Sequence, residues 1–129
     1  MKLIGRGTAG LLGVVLAAGG IFAAGSPVAA SEREREGDCS GRADWELEVE
    51  REGGGLEVEL EIEAIKAGKV WDVRIKQNGN RFFKANLTTD REGEIEVERQ
   101  RPDTAGPDKF WFKAINQKNG QVCQGSLTY

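Results

Sequence analysis

Between Trp45 and Glu63 the chain reads WELEVEREGGGLEVELEIE, with a glutamate at almost every second position and Trp, Leu, Val or Ile between them. Glutamate by itself favours helices. Yet Leu56, Val58, Leu60 and Ile62 alternating with Glu57, Glu59, Glu61 and Glu63 cannot share one face of a helix, whereas on a strand a period of two gathers them on one side. Trp45, Leu47 and Val49 repeat the pattern ahead of the turn REGGG at 51–55. The segment is therefore predicted as two strands, each with an apolar and an acidic face.

Short strands continue along the chain. They are expected at 70–77, with Trp71, Val73 and Ile75 on one face; at 81–87; at 94–99, with Ile95 and Val97; at 109–116, with Phe110, Phe112 and Ala114; and at 122–128. The connectors KAGK, QNGN, DREG, PDTAGPD and QKNG carry the residues that tight turns require. Asn78-Gly79 is the strongest hairpin signal, because a two-residue type I′ turn needs positive φ at both central positions. Seven strands about ten residues apart, with no helical period between them, predict an all-β, seven-stranded antiparallel sandwich.

Residues 1–30 read as a signal peptide cleaved after Ala30: Lys2 and Arg6 precede an apolar run from Ala9 to Ala24, and SPVAA supplies small residues before the cut. Retention as a membrane anchor is disfavoured by the many Gly and Ala residues of that run. A lipid anchor lacks its cysteine, since Cys39 follows the charged stretch EREREGD. With no apolar residue, 31–38 is expected as a disordered lead-in, leaving 39–129 as the domain. Without Lys2 and Arg6 the chain has 16 basic against 21 acidic side chains, a net charge of −5. That balance excludes nucleic acid as a partner, and no membrane contact is expected after cleavage.

Two cysteines in an exported chain predict one disulfide, Cys39 to Cys123. The loop it closes makes it worth on the order of 4 kcal/mol in the chain-entropy model. The sequence contains no histidine, so neither thiol has the partner that catalysis or zinc binding would need.

The stretch FWFKAINQKNG at 110–120 resembles the sixth strand and following turn of fibronectin type III and related immunoglobulin-like domains. Trp71 is placed similarly to their core tryptophan. The pattern as a whole resembles small secreted bacterial immunoglobulin-like proteins without an assigned activity. The resemblance implies that strands one, two and five form one sheet and strands three, four, six and seven the other. Its disulfide differs: the immunoglobulin bond joins the second and sixth strands through the core, whereas Cys39–Cys123 would staple the beginning of the chain to the seventh strand.

On that arrangement the first sheet turns Glu46, Glu48, Glu50, Glu57, Glu59, Glu61, Glu63, Glu94, Glu96 and Glu98 outward, with Arg51, Arg91 and Arg99 near its ends for local compensation. Such a face keeps an exported β-protein soluble and its edges unpaired, and it also matches adaptation to heat or salt. A calcium or polycation site is the weaker reading, because calcium needs six to eight converging oxygens and a flat ladder does not converge. No metal and no cofactor are predicted. On the other sheet Arg74, Lys76, Lys84, Trp111, Lys113 and Ile115 point away from the core and form the candidate binding face, its partner an envelope polymer or an extracellular protein. A one-residue slip in register would turn that patch inward. No catalytic residue is predicted: histidine is absent, and no nucleophile elbow surrounds Ser31, Ser40 or Ser126. The sequence thus predicts a secreted, monomeric, non-enzymatic binding or structural module of the envelope or extracellular space. The alternative is an inhibitor of extracellular enzymes that presents the end loop PDTAGPDK.

Overall fold

In a computed structural model that describes residues 31–129, the glutamate-rich segment forms two paired strands. These are β2 (Asp44–Glu52) and β3 (Gly55–Glu63), preceded by β1 (Glu32–Asp38) and followed by β4 (Val70–Gln77), β5 (Asn80–Thr88), β6 (Glu94–Arg101), β7 (Lys109–Asn116) and β8 (Val122–Thr128). All pairings are antiparallel, in two sheets of order β1-β2-β3-β6 and β5-β4-β7-β8. The strand at each predicted place is present, and strands divide between the sheets as anticipated. The signal-peptide prediction lies outside the described residues.

The count is eight strands and not seven, and 31–38 is not a disordered lead-in. Glu32 to Asp38 pairs along its whole length with β2, Glu32 opposite Glu50 through Asp38 opposite Asp44. Strand β1 buries almost nothing apolar, so the hydrophobic pattern that betrays the other strands is missing from it. Its ladder of backbone hydrogen bonds and the Cys39 tether hold it in place. Arg33 and Arg35 stand opposite Val49 and Leu47, on the inward side of this edge strand, where charge discourages pairing with a further chain.

The inward faces supply the core: Leu47, Val49, Leu56, Val58, Leu60 and Ile62 from one sheet meet Trp71, Val73, Ile75, Phe110, Phe112 and Ala114 from the other. Arginines close both seams. Arg35 donates to the Ser126 carbonyl at 3.1 Å on the β1–β8 side. On the β6–β5 side the Arg99 and Arg101 guanidinium groups sit 4.7 and 4.3 Å from the rings of Phe83 and Phe82. Arg99, expected to compensate the carboxylates near the end of the acidic face, thus stands opposite Val58 on the seam side of its strand.

Trp45 is buried edge-on to Phe112, at 5.0 Å between ring centres. Its indole lies where two glycines leave room: a Cβ on Gly37 would come within 2.8 Å of it and one on Gly125 within 2.4 Å. Gly125→Ala is therefore expected to destabilise the fold by about 2 kcal/mol through overpacking, measured by urea unfolding. In a Trp45→Phe background the same change should lose most of its effect, because the smaller ring vacates the space. An unchanged penalty in both backgrounds would show that the indole is not what the methyl group meets.

The Asn78-Gly79 turn has φ of 49° and 85° at its two residues, the positive values that the hairpin was predicted to need. The disulfide joins Cys39 to Cys123 with 4.3 Å between Cα atoms, at a sequence separation of 84. It ties the β1–β2 turn to β8 at one edge of the sandwich, as a staple and not through the centre of the core.

Candidate functional site

The two outer faces have opposite charge. Because residues opposite one another in a pair project to the same side, the register builds four rows across the β1-β2-β3-β6 sheet: Glu32, Glu50, Glu57 and Gln100; Glu34, Glu48, Glu59 and Glu98; Glu36, Glu46, Glu61 and Glu96; and Asp38, Asp44, Glu63 and Glu94. Fifteen of these sixteen positions are acidic, out of 21 acidic residues in the whole sequence. The ten predicted glutamates all lie here, and β1 and Asp44 extend the array by residues the sequence reading left out.

Crowding perturbs the carboxyls. Glu57 is pushed above the ordinary carboxylate range by partial loss of solvent and then by Glu52 and Glu98. Glu63 is pushed the same way by partial loss of solvent and then by Asp44, Glu61 and Glu94. A carboxyl with a raised folded-state pKa binds protons more readily folded than unfolded, so its contribution is largest below the ordinary value near 4.5 and is lost as pH rises through the raised value. Acidifying from neutral pH toward 4.5 is expected to raise the melting temperature, and salt at pH 7 should mimic part of that gain by screening. Glu57→Gln with Glu63→Gln should flatten the response in thermal melts; an unaltered slope would place the effect elsewhere on the face.

Across the sandwich, β4 and β7 run side by side with Lys76 opposite Trp111, Arg74 opposite Lys113 and Asp72 opposite Ile115. On the other flank of β4, Lys84 of β5 stands opposite Arg74. Phe110, Phe112, Val73 and Ile75 are buried, which by strict alternation leaves their neighbours facing out. All six predicted residues, Arg74, Lys76, Lys84, Trp111, Lys113 and Ile115, thus share one surface.

The face is a shaped one. Trp111 is half-buried, with the Lys76 ammonium 5.0 Å from its ring centre, a cation–π distance. Asp72 accepts two bonds from Arg74, from Nε and from the terminal nitrogen, both at 3.1 Å. Those bonds hold the Asp72 carboxyl below and the Arg74 guanidinium above their ordinary values. In energy such an exposed pair contributes little; its effect is to fix the plane of the guanidinium. Asp72, Arg74, Lys76, Arg81, Trp111, Lys113 and Ile115 line a depression of about 380 Å³.

Arg81 is the member that sequence reasoning missed. It lies three residues from Lys84, so a period of two would put it on the opposite face. The pairing shifts between Ile75 and Lys76: Ile75 faces Phe83 but Lys76 faces Arg81. Phe82 is the extra residue of this bulge and packs edge-on to Phe110 at 6.3 Å, while Arg81 returns to the outer surface. Arg74, Lys76, Arg81, Lys84 and Lys113 thus share this face with the Asp72 carboxylate, and Lys109, outward on β7 by the same alternation, adds a further cation at its end.

No family model matches the chain, and none of the curated proteins matches it in sequence. Among solved structures, the crystal structure of a Br derivative of BhCBM56 is similar, at 22% identity over 72% of this chain and 98% of that chain, with a TM-score of 0.39.

Proposed function

We propose that this protein is an exported, non-enzymatic module that holds an anionic envelope polymer along the outer face of the β5-β4-β7-β8 sheet. The observation that carries this reading is the segregation of charge. A cluster of cations and a half-buried tryptophan occupy one face, and fifteen of the acidic residues occupy the other. A polyanion is attracted to the first and repelled by the second, so the molecule would dock in one orientation. The ring of Trp111 offers a flat apolar surface for stacking against a sugar, and the Arg74 guanidinium, fixed by Asp72, offers a planar donor pair for carboxylate or phosphate. The disulfide supports a location outside the reducing cytoplasm. The strand order supports placing the domain with immunoglobulin-like sandwiches of the fibronectin type III kind.

The test is capture of the purified oxidised protein by cell-envelope fractions, beside a Trp111→Ala, Lys113→Glu variant with the same melting temperature. Loss of capture by about tenfold or more in the variant, a difference of 1.4 kcal/mol, is expected, along with weakening as salt rises. Trp45 and Trp71 are buried at 6% and 0% exposure, so a change in tryptophan fluorescence on binding would report mainly on Trp111. Equal capture by both proteins would reject this face.

A second reading has an observation of its own. The loop 102–108 is braced from below by Asp108, whose carboxylate accepts from Thr104 N at 3.1 Å and from Gln77 and Asn78 at 3.0 Å each. A braced, exposed loop is what an inhibitor inserts into an enzyme cleft. Inhibition of an extracellular hydrolase that is abolished by substitutions at Ala105 and Gly106, and untouched by the Trp111 variant, would favour it.

A further inference from the structure

At the end of the sandwich that carries the disulfide, three turns far apart in sequence enclose an open cleft of about 660 Å³. Its lining includes Arg42, Lys66, Lys69 and Lys118, and no acidic residue. We infer that this cleft is a second binding site, separate from the sheet face, for a small organic anion that presents a carboxylate or phosphate to the four cations and an apolar edge to Ile65.

Backbone conformation at Ile65 is the observation that singles the cleft out. Ile65 has φ of 74°, and Lys66 N donates to the Ala64 carbonyl at 2.8 Å across it, which makes a γ-turn with positive φ at its centre, a rare and strained form. A β-branched residue is among the least suited to that region. Glycine would relieve the strain, yet isoleucine stands there, and its side chain is not hidden in the core: Ile65 is 53% exposed and lines the cleft. Strain of this kind persists only where the surroundings impose it.

The surroundings do impose it. Ala64 N donates to the Gly93 carbonyl at 2.8 Å, and Gly93 itself has φ of 81°, with space for no side chain because a Cβ would lie 2.4 Å from the Ile65 backbone. Buried Thr89 pins the rest of the turn, its hydroxyl donating to the Lys66 carbonyl at 2.7 Å and accepting from Lys69 N at 2.9 Å.

The opposite wall is equally built. Asn116 Oδ1 accepts from Lys118 N at 2.9 Å and Asn119 N at 3.2 Å, which shapes the β7–β8 turn. Gln121 Nε2 then donates to the Ser40 carbonyl at 2.6 Å and Val122 N to Ser40 Oγ at 2.8 Å, next to the Cys39–Cys123 bond. A cleft whose walls are fixed before a ligand arrives loses little entropy on binding, and its volume falls in the range of small-ligand sites. Four cations without a carboxylate among them specify a negative group; one exposed aliphatic residue in a polar rim specifies a ligand with an apolar edge.

The test is a titration of the isotope-labelled oxidised protein, followed by amide chemical shifts, with D-glucuronate, D-glucose 6-phosphate, D-glucose and inorganic phosphate. Saturable shifts confined to 40–42, 64–69 and 117–121 are expected with one or both acidic sugars, and which of the two binds more tightly separates carboxylate from phosphate recognition. Lys66→Glu with Lys118→Glu should weaken binding about tenfold or more. Ile65→Gly should weaken it too while raising the melting temperature, since the substitution removes the apolar contact and the strain together. Equal shifts with glucose, equal affinity for inorganic phosphate, shifts at the Trp111 face instead, or no shifts at all would overturn the inference. So would an Ile65→Gly protein that binds as wild type.

Discussion

Removing the disulfide, by Cys39→Ser with Cys123→Ser or by reduction, is expected to lower the stability of this domain by about 4 kcal/mol and its melting temperature by about 20 °C. The bond closes a long loop, at a separation of 84 residues, so its absence releases most of the unfolded chain from a constraint. The net stability of such a domain is of the order of 5–15 kcal/mol, which makes the loss a large fraction of the whole. The effect should also be local. Strand β1 is joined to the sandwich by its ladder with β2, by the bond from Arg35 to the Ser126 carbonyl and by the tether at Cys39, and apolar burial contributes almost nothing to it. Hydrogen exchange in the variant should therefore show β1 and the Ser40–Val122 contacts opening well before the core strands. A loss below about 1 kcal/mol, or β1 as protected as β3, would show that backbone pairing alone suffices to hold the edge.

Asp108→Ala is the second large effect, expected at about 3 kcal/mol. Asp108 is fully buried, and its carboxylate receives Gln77 Nε2, Asn78 Nδ2, Thr104 N and the Thr104 hydroxyl. Alanine would leave several of these donors unsatisfied at once, and each buried orphan costs about 1–3 kcal/mol, reduced here because Asn78 and Thr104 can turn to water. Burial acts to raise the Asp108 pKa, but the bonds from Thr104, Gln77 and Asn78 outweigh it and hold the carboxyl below its ordinary value of 3.8. A depressed folded-state pKa means that the unfolded chain binds the proton more readily. The contribution is thus complete above the ordinary value and is lost as pH falls through the depressed one.

Asp108→Asn should accordingly lose less than Asp108→Ala at pH 7, and its deficit should shrink below about pH 3.8. Taken with the glutamate face, whose protonation stabilises as pH falls toward 4.5, the unfolding free energy should rise on mild acidification and then fall below 3.8 as Asp108 takes up its proton. A deficit in Asp108→Asn that is the same at pH 3 and pH 7 would mean that the charge on this carboxylate does not matter to folding.

How far the sequence could be read differs by element. Strands with one apolar face were legible to within a residue or two, because burial selects every second side chain and leaves a period that no helix can produce. Val70–Gln77, Lys109–Asn116 and Val122–Thr128 coincide with the predicted limits. Strand β1 carries a period of two as well, in EREREG, but the alternation is of charge against charge. Without apolar burial, that pattern is equally that of a solvated tail, and only the presence of β2 as a pairing partner distinguishes them.

The sheet face was legible for the same reason as the strands: once Phe110, Phe112 and Ala114 point inward, Trp111, Lys113 and Ile115 must point out. Arg81 escaped because a bulge at Phe82 breaks the period, and the packing of Phe82 on Phe110 that holds the bulge is a contact between residues 28 apart. The end cleft was hidden altogether. Arg42, Ile65, Lys69 and Lys118 sit in three separate turns, where no periodicity links one to the next, and tertiary structure alone brings them to the lining of one cleft. Local alternation, then, determined the strands with an apolar face and the sides of each sheet, and the cysteine count determined the disulfide. Pairing partners, the bulge and the convergence of distant turns were decided by the fold, because each depends on which segments meet in space and not on the order in which they occur.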